Sequence, residues 1–326
     1  MPVLDQNQNQ NQSIGSAGER RFRTRYNTDI FARLVDTTPP HSKLVPPIRG
    51  GGLPNYPLFH ENWDADLRAS MHLDDFLKKL IDTATAAATT WRTTYAAVAR
   101  NGGANIPPHE MTQVQLGDEV LRILELGLER ESRFEEIIDQ DDGDGAINYW
   151  LGMLKIDPAR HPATYLMVHI GRRIGEHVVM CLKGDFSSPR PPQLCPAITP
   201  MIDPPVTPSF PAGHALQSYL MSYLLAYSLS NAAGATNLPQ HTLPAPNSAL
   251  AVFLAPATRP TGPLFDLAHR VSENRIVAGI HYPTDIRAGQ AVAVQTFKDI
   301  QTVDSIWHIT TGLRARVRAE FPQYAA

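Results

Sequence analysis

Apolar residues recur at helical spacing along much of this 326-residue chain. In residues 73–100 they are three and four positions apart, which places them on one face of a helix. They are Leu73, Phe76, Leu77, Leu80 and Ile81. This helix is predicted to end at Asn101-Gly102-Gly103, because Asn and Gly are typical of helix C-termini. One or two further helices are predicted over residues 111–138, and another over residues 162–182.

The helical pattern continues in the C-terminal half after one interruption. Residues 189–211 contain too many prolines for a helix or a central strand, which predicts a loop. Further helices are predicted over residues 213–229, 265–278, 284–300 and 306–318. No segment alternates apolar and polar residues convincingly enough to indicate a half-buried strand. The predicted fold class is therefore all-α, a helical bundle.

The first 66 residues lack this periodicity. The Gln/Asn repeat at residues 6–12 cannot bury apolar area, so residues 1–20 are predicted to be a disordered tail. Residues 21–66 are rich in Pro, Gly and aromatic side chains, which predicts an extended arm. The remaining residues, 67–326, are predicted to form a single all-α domain with its motif core at residues 160–300.

Composition and charge restrict the classes of partner. The net charge is −3, and no basic run carries interleaved aromatic residues, so we expect no nucleic-acid partner. Cys181 and Cys195 form no disulfide framework and are predicted to be free thiols. The chain shows no secretory leader, and its most apolar stretch, residues 219–229, is too short to span a bilayer. We therefore expect a soluble, cytoplasmic protein with small-molecule substrates.

Three short motifs in the C-terminal half carry candidate chemistry. They are Lys183-x6-Arg190-Pro191, Pro211-Ala212-Gly213-His214 and Arg275-x5-His281-x3-Asp285. Lys offers a point charge and each Arg a planar fork, a combination that suits a tetrahedral oxyanion. The two histidines and the carboxylate add acid and base groups beside it.

The predicted positions of the second and third motifs give each a physical role. The second motif precedes a helix, where backbone N–H groups and the helix dipole favour an anion. Gly213 lets the backbone approach a ligand closely. Asp285 follows His281 by four residues and can accept a hydrogen bond from its imidazole, which fixes the tautomer.

The motifs resemble the signature of the phosphatidic acid phosphatase type 2/vanadium-dependent haloperoxidase superfamily. The resemblance covers Lys183 to Asp285 and is nearest to soluble, bacterial-type haloperoxidase-like members. Ala212 and Asn274 each stand where the family usually has Ser. The resemblance implies a helical bundle of the acid phosphatase/vanadium haloperoxidase type, and it also favours a homodimer.

The resemblance also implies roles for the motif residues. The implied catalytic residues are His214, His281 and Asp285. The implied oxyanion-binding residues are Lys183, Arg190, Ala212, Gly213 and Arg275. His281 is then either the one protein ligand to the vanadium of vanadate or the nucleophile that takes a phosphoryl group. His214 exchanges a proton with peroxide in the first case and protonates the leaving group in the second.

Three functions stay open at this point. One is a vanadate-dependent haloperoxidase that oxidises halide with hydrogen peroxide, favoured by the long helical segment before Lys183. The second is a phosphomonoesterase that hydrolyses a phosphate ester through a phosphohistidine and needs no cofactor. Thr207 marks a candidate halide or substrate pocket, because chloroperoxidases of the family tend to have Phe there and bromoperoxidases His. The third is a non-catalytic phosphate binder, which Ala212 favours because it lacks a hydroxyl donor.

The acidic run at residues 139–145 fails the requirements of a calcium loop. Gly143 occupies a ligand position, and Trp150 stands where a bidentate Glu is required. The run is therefore predicted to be an exposed loop.

Overall fold

A computed structural model describes residues 63–86, 90–141, 145–230, 238, 240–245, 248–255 and 257–325. These residues are mostly α-helical and contain no strand, apart from one isolated bridge between Thr242 and Thr261. The all-α prediction is confirmed. The predicted tail and residues 21–62 of the predicted arm lie outside the described residues. At the predicted end of the arm, Ala65 already begins a helix.

The helices follow one another with short connections between many of them. In chain order they are α1 (Ala65–Ala86), α2 (Trp91–Arg100), α3 (Gln113–Leu126), α4 (Phe134–Asp141), α5 (Gly145–Met153), α6 (Pro162–Phe186), α7 (Pro191–Leu194), α8 (Gly213–Ser228), α9 (Leu250–Leu254), α10 (Pro263–Val277), α11 (Pro283–Ile300), α12 (Asp304–Trp307), α13 (Leu313–Glu320) and α14 (Pro322–Ala325). Single 3-10 turns occur at Asn101–Gly103, Pro108–Glu110, Gly127–Glu129 and Glu131–Arg133.

Helix α8 lies at the centre of the core and packs against α6, α10 and α11. Helix α6 also packs against α1 and α13, and α2 packs against α11. Twelve of the sixteen residues of α8 are buried, so this helix is enclosed on nearly all sides rather than amphipathic. A helix in this position can hold the residues at its first turn rigidly.

A glycine allows α11 to approach the start of α8. A Cβ on Gly289 would lie 2.6 Å from the carbonyl oxygen of Ala212 and 2.9 Å from the Cβ of Ala215, closer than real side chains come. The backbone of Asp285, one turn earlier on α11, accepts a hydrogen bond from Ala212 N at 3.0 Å. The packing of these two helices therefore brings the second and third motifs together.

Several predicted helix boundaries are wrong. The single helix predicted over residues 73–100 is two helices, and the side chain of Thr90 caps the second of them. Its predicted C-terminus is confirmed, because α2 ends at Arg100 and Asn101 adopts a left-handed φ of 44°. Residues 306–318 likewise divide between α12 and α13. The predicted loop at residues 189–211 contains the short helix α7.

None of the described helices combines the length and the apolar character that crossing a bilayer requires. Both cysteines are free, as predicted.

The C-terminal helices anchor the start of α6 through Glu320. Its carboxylate accepts hydrogen bonds from Ala163 N at 2.7 Å and Thr164 N at 2.9 Å, and another from the Thr164 hydroxyl at 2.6 Å. We expect Glu320→Ala to lower the free energy of unfolding by about 1–3 kcal/mol, because two N–H groups at the helix N-terminus lose their acceptor. Urea denaturation measures this. Glu320→Gln should lose less, and Glu125→Ala, at an exposed pair with Arg122, should change little.

Candidate active site

The residues of the three motifs are carried by helix ends and the turns between them. Lys183 is in the last turn of α6, and Arg190 immediately precedes α7. His214 is the second residue of α8, and Arg275 is near the end of α10. His281 lies in the turn that leads to α11, which Gly279 allows through its positive φ of 81°.

His281 and Asp285 form a buried pair. The imidazole Nδ1 lies 3.0 Å from Asp285 Oδ2, and both side chains are almost entirely inaccessible to solvent. The same carboxylate oxygen accepts hydrogen bonds from Tyr282 N at 2.9 Å and from the Ser209 hydroxyl. Asp285 therefore accepts the N–H of the N-cap residue of α11, Tyr282, and orients the imidazole at the same time, and the second of these roles was predicted from the sequence.

Arg190 fixes the tautomer of His281. Its Nη1 donates to His281 Nε2 at 3.0 Å and to the carbonyl of Ile280 at 2.9 Å. A guanidinium cannot accept a hydrogen bond, so Nε2 is the acceptor and Nδ1 carries the proton that is donated to Asp285. Thr207 holds the guanidinium through its carbonyl at 2.9 Å and its hydroxyl at 3.1 Å.

Lys183 is buried against the loop that precedes the second motif. Its ammonium group donates to the carbonyl oxygen of Pro208 and, at 3.3 Å, to that of Ser209. The adjacent residue, Thr207, binds Arg190. Residues 207–209 thus hold two of the three motif cations and, through the Ser209 hydroxyl, the carboxylate.

Arg275 and His214 meet the C-terminal end of α4. Arg275 donates to the carbonyl of Ile137 at 2.9 Å and lies 3.2 Å from the carboxylate of Asp141. His214 Nε2 lies 3.1 Å from the carbonyl of Gln140, so this nitrogen is the donor and Nδ1 is left as the acceptor of the neutral ring. The negative end of the α4 dipole faces both groups.

The prediction of an exposed loop over residues 139–145 is wrong for residues 139–141, which belong to α4, and for Gly145, which begins α5; residues 142–144 lie outside the described residues. Residues 139–141 are helical because α4 packs against α10, where Asp141 forms an ion pair with Arg275. Gln140, Asp141 and Ser209 are site contacts that the sequence analysis missed. The only signal for Ser209 is its place beside the second motif. The other two precede Arg275 by more than 130 residues.

The two departures from the family motif have distinct structural roles. The backbone N–H of Ala212 donates to the backbone carbonyl of Asp285. It therefore links α8 to α11 and does not serve as a donor to an anion. The Asn274 amide donates to Gln140 Oε1 at 2.9 Å and accepts from Arg133 at 3.1 Å. Gly213 has a helical backbone, and an added Cβ would meet only Val179, at 3.6 Å.

Burial lowers the pKa of all three cations, because each positive charge is removed from water. The pKa of Lys183 lies well below its usual value, first through burial and then through the charge of Arg190. Burial lowers the pKa of Arg190 and that of Arg275 to about 10 each. Clustered buried cations are unfavourable unless an anion joins them.

Burial also shifts the pKa values of the candidate catalytic residues, because it disfavours their charged forms. The shift is downward for the two histidines and upward for Asp285. Burial and then the positive charge of Arg275 lower the pKa of His214 to about 3. Burial, followed by the charge of Arg190, places the pKa of His281 well below its usual value. Burial raises the pKa of Asp285 to about 6, against the lowering effects of the Ser209 and Tyr282 hydrogen bonds. Both imidazoles are therefore neutral in the ligand-free protein.

The donors left over fit a tetrahedral oxyanion such as phosphate or vanadate. Among the described residues, Arg275 Nε is a buried donor without a hydrogen-bond partner. No side chain caps α8, so the N–H groups of Gly213 and His214 are not taken up by a capping residue. Together with Lys183 and Arg190 they make a donor set of the kind that an anion needs.

The segment that carries the three motifs matches a known protein family. Residues 164–298 match the model of the PAP2 superfamily, and this segment contains every motif residue from Lys183 to Asp285. The superfamily includes phosphatases and haloperoxidases. No curated protein matches the chain significantly.

Proposed function

We propose that this chain is an oxyanion-site enzyme of the vanadate-dependent haloperoxidase type, which oxidises halide with hydrogen peroxide. The proposal depends mainly on the geometry around His281. Its Nε2 is a hydrogen-bond acceptor beside buried cations, and its Nδ1–H is donated to Asp285. The near-complete burial of these groups favours small reactants such as peroxide and halide over bulky esters.

The cations bind and hold the anion. Lys183, Arg190 and Arg275 would neutralise its charge, and the first N–H groups of α8 would add donors. Arg190 must release His281 Nε2 for this nitrogen to reach the anion, and a bound anion would attract the guanidinium away from the imidazole. Vanadate held by these residues and His281 would supply the Lewis-acid centre that activates peroxide towards halide.

His214 is proposed to move the proton. Its Nε2–H is engaged by the Gln140 carbonyl, which leaves Nδ1 to accept a proton from peroxide. The pKa of about 3 keeps the ring neutral, as a base requires. The charge of a bound anion would raise this pKa towards the working range.

A phosphomonoesterase is the second candidate, and Thr207 favours it because it is neither the Phe nor the His of halide-oxidising relatives. His281 Nε2 would attack phosphorus, and the bond to the alcohol oxygen would break as His214 gives that oxygen a proton. Water would then hydrolyse the phosphohistidine and restore His281. His214 must be protonated in this reaction, which needs the anion-induced rise of its pKa.

Two assays on the purified full-length protein separate these functions. We expect the orthovanadate-loaded protein to brominate a phenolic dye with hydrogen peroxide and bromide at least about tenfold faster than the vanadate-free protein. We expect the vanadate-free protein not to hydrolyse aryl phosphate. Hydrolysis that vanadate inhibits would instead establish the phosphatase. If the protein shows neither activity but binds phosphate tightly in calorimetry, the non-catalytic binder is the remaining function. The predicted homodimer and cytoplasmic location stay predictions.

A further inference from the structure

Arg130 is a half-buried arginine that joins the end of α10 to the loop before the second motif. It lies between the two 3-10 turns that follow α3, and its side chain reaches two backbone carbonyls. Nε donates to the carbonyl of Val277 at 2.8 Å, and Nη1 donates to that of Thr199 at 2.6 Å. Because the guanidinium is a rigid planar fork, it fixes the distance between these two segments.

The carbonyl of Val277 is at the C-terminus of α10, where a helix leaves carbonyl groups without partners of its own. Arg130 satisfies this one, and its positive charge lies at the negative end of the α10 dipole. The carbonyl of the next residue, Ala278, accepts a hydrogen bond from Met201 N at 2.9 Å. The end of α10 is therefore held by contacts from outside the helix.

The turn between α10 and α11 passes close to the same guanidinium. A Cβ on Gly279 would lie 2.7 Å from Nη2 of Arg130, so a side chain there would displace the guanidinium from its two carbonyls. The next carbonyl, that of Ile280, accepts a hydrogen bond from Arg190 at 2.9 Å. His281 follows directly. Two arginines, one outside the motifs and one within them, thus hold the residues that precede His281.

We propose that Arg130 is a positioning residue, which holds the turn between α10 and α11 so that His281 stays within reach of the bound oxyanion. Within the described part of the chain its hydrogen bonds go to backbone carbonyls and to no side chain of the three motifs. A displacement of about 1 Å at a reacting group can slow a reaction about 100-fold, so a residue can affect the rate without touching the substrate. The effect on catalysis rests on the proposed function, whereas the hold on the turn is independent of the reaction.

Arg130→Ala in the full-length protein tests the effect on catalysis. In whichever assay the wild type supports, kcat should fall about 10–100-fold, because His281 is less often in place. Phosphate affinity in calorimetry should stay within about threefold of the wild type, because Lys183, Arg190 and Arg275 are retained. Arg130→Lys should give an intermediate kcat, because an ammonium group keeps the charge but does not bridge two carbonyls as the planar fork does.

Hydrogen exchange measures the hold on the turn without any turnover. The N–H groups of Gly279 and Ile280 are both hydrogen-bonded to carbonyls at the end of α10. In ligand-free Arg130→Ala, peptides covering residues 276–282 should exchange about 10–100-fold faster than in the wild type, because the turn opens more readily. Residues 300–304, in the turn after α11, should exchange at the wild-type rate.

Glu320→Ala is the control for a general loss of stability. It weakens the start of α6, whereas Lys183 is in the last turn of that helix. This variant should keep the wild-type kcat and the wild-type exchange of residues 276–282. Gly279→Ala gives a second test, because its Cβ would meet the guanidinium. It should lower kcat much less in the Arg130→Ala background than in the wild type, since the two residues are in contact.

Two results would overturn the proposal. One is a kcat of Arg130→Ala within about twofold of the wild type. The other is exchange in Arg130→Ala that is unchanged in residues 276–282 or that rises equally throughout the chain, which would mean that Arg130 does not hold this turn in particular. A wild-type protein without either activity would count against the proposed function alone, since the exchange of residues 276–282 then decides whether Arg130 holds the turn.

Discussion

His281→Ala should lower kcat/KM by about 10⁴-fold or more, the largest effect of any single change in this protein. The imidazole supplies the one nitrogen that can bind or attack the central atom of the oxyanion, and loss of such a group leaves only binding and charge stabilisation. Phosphate affinity measured by calorimetry should fall far less, because Lys183, Arg190 and Arg275 remain. Steady-state kinetics and calorimetry on the same preparation separate the two effects.

His269→Ala is the control for this experiment. His269 is an exposed histidine on α10, the helix that carries Arg275, so its loss tests the general effect of removing an imidazole nearby. It should leave both kcat/KM and phosphate affinity within about twofold of the wild type. Full activity in His281→Ala would refute the assignment of the site to these motifs.

Asp285→Asn should lower kcat by about 10²–10⁴-fold while leaving the fold intact, as the loss of a carboxylate behind a catalytic histidine does elsewhere. The amide oxygen can still face His281, Ser209 and Tyr282, but it carries no charge to hold the proton on Nδ1. The pKa of about 6 adds a second signature. Wild-type activity should fall as the pH drops through about 6, because protonation of the carboxylate removes the acceptor for His281. The variant should lack this limb, and a pH profile of kcat measures it.

Asp299→Asn controls for the burial of the new amide. Asp299 is a partly buried carboxylate, and it accepts a hydrogen bond from the Tyr95 hydroxyl at 2.6 Å, away from the motifs. This change should lower stability in urea without moving the pH profile. If both variants lost activity alike, loss of fold rather than of charge would be the cause.

Helix positions in this chain could be predicted largely from apolar spacing, but helix interruptions could not. Thr90 is a good N-cap, yet it lies among several threonines in residues 83–94, and local pattern does not single it out. The close approach of α11 to α8 depends on Gly289, whose significance appears only when both helices are placed. Local sequence specifies helices, whereas packing selects where they stop and meet.

The motif residues could be predicted because each motif lies within a short stretch of sequence at a fixed spacing and combines charged residues or histidine with proline or glycine nearby. The residues that hold them could not. Gln140 contacts His214 through its backbone carbonyl, a group that every residue has, so the residue type at this position does not indicate the contact. Asp141 lies in an acidic run that is typical of a solvated loop, and its pairing with Arg275 depends on how α4 docks. Contacts of this kind follow from tertiary structure alone.

The docking of α4 has a consequence for the modularity of the chain. The segment that matches the family model begins at residue 164, yet Arg275 and His214 take hydrogen-bond partners from residues 137–141. A fragment trimmed to the matched segment would keep every signature residue and lose those partners. The segment that sequence comparison recognises is thus smaller than the candidate site, which also includes the C-terminal end of α4.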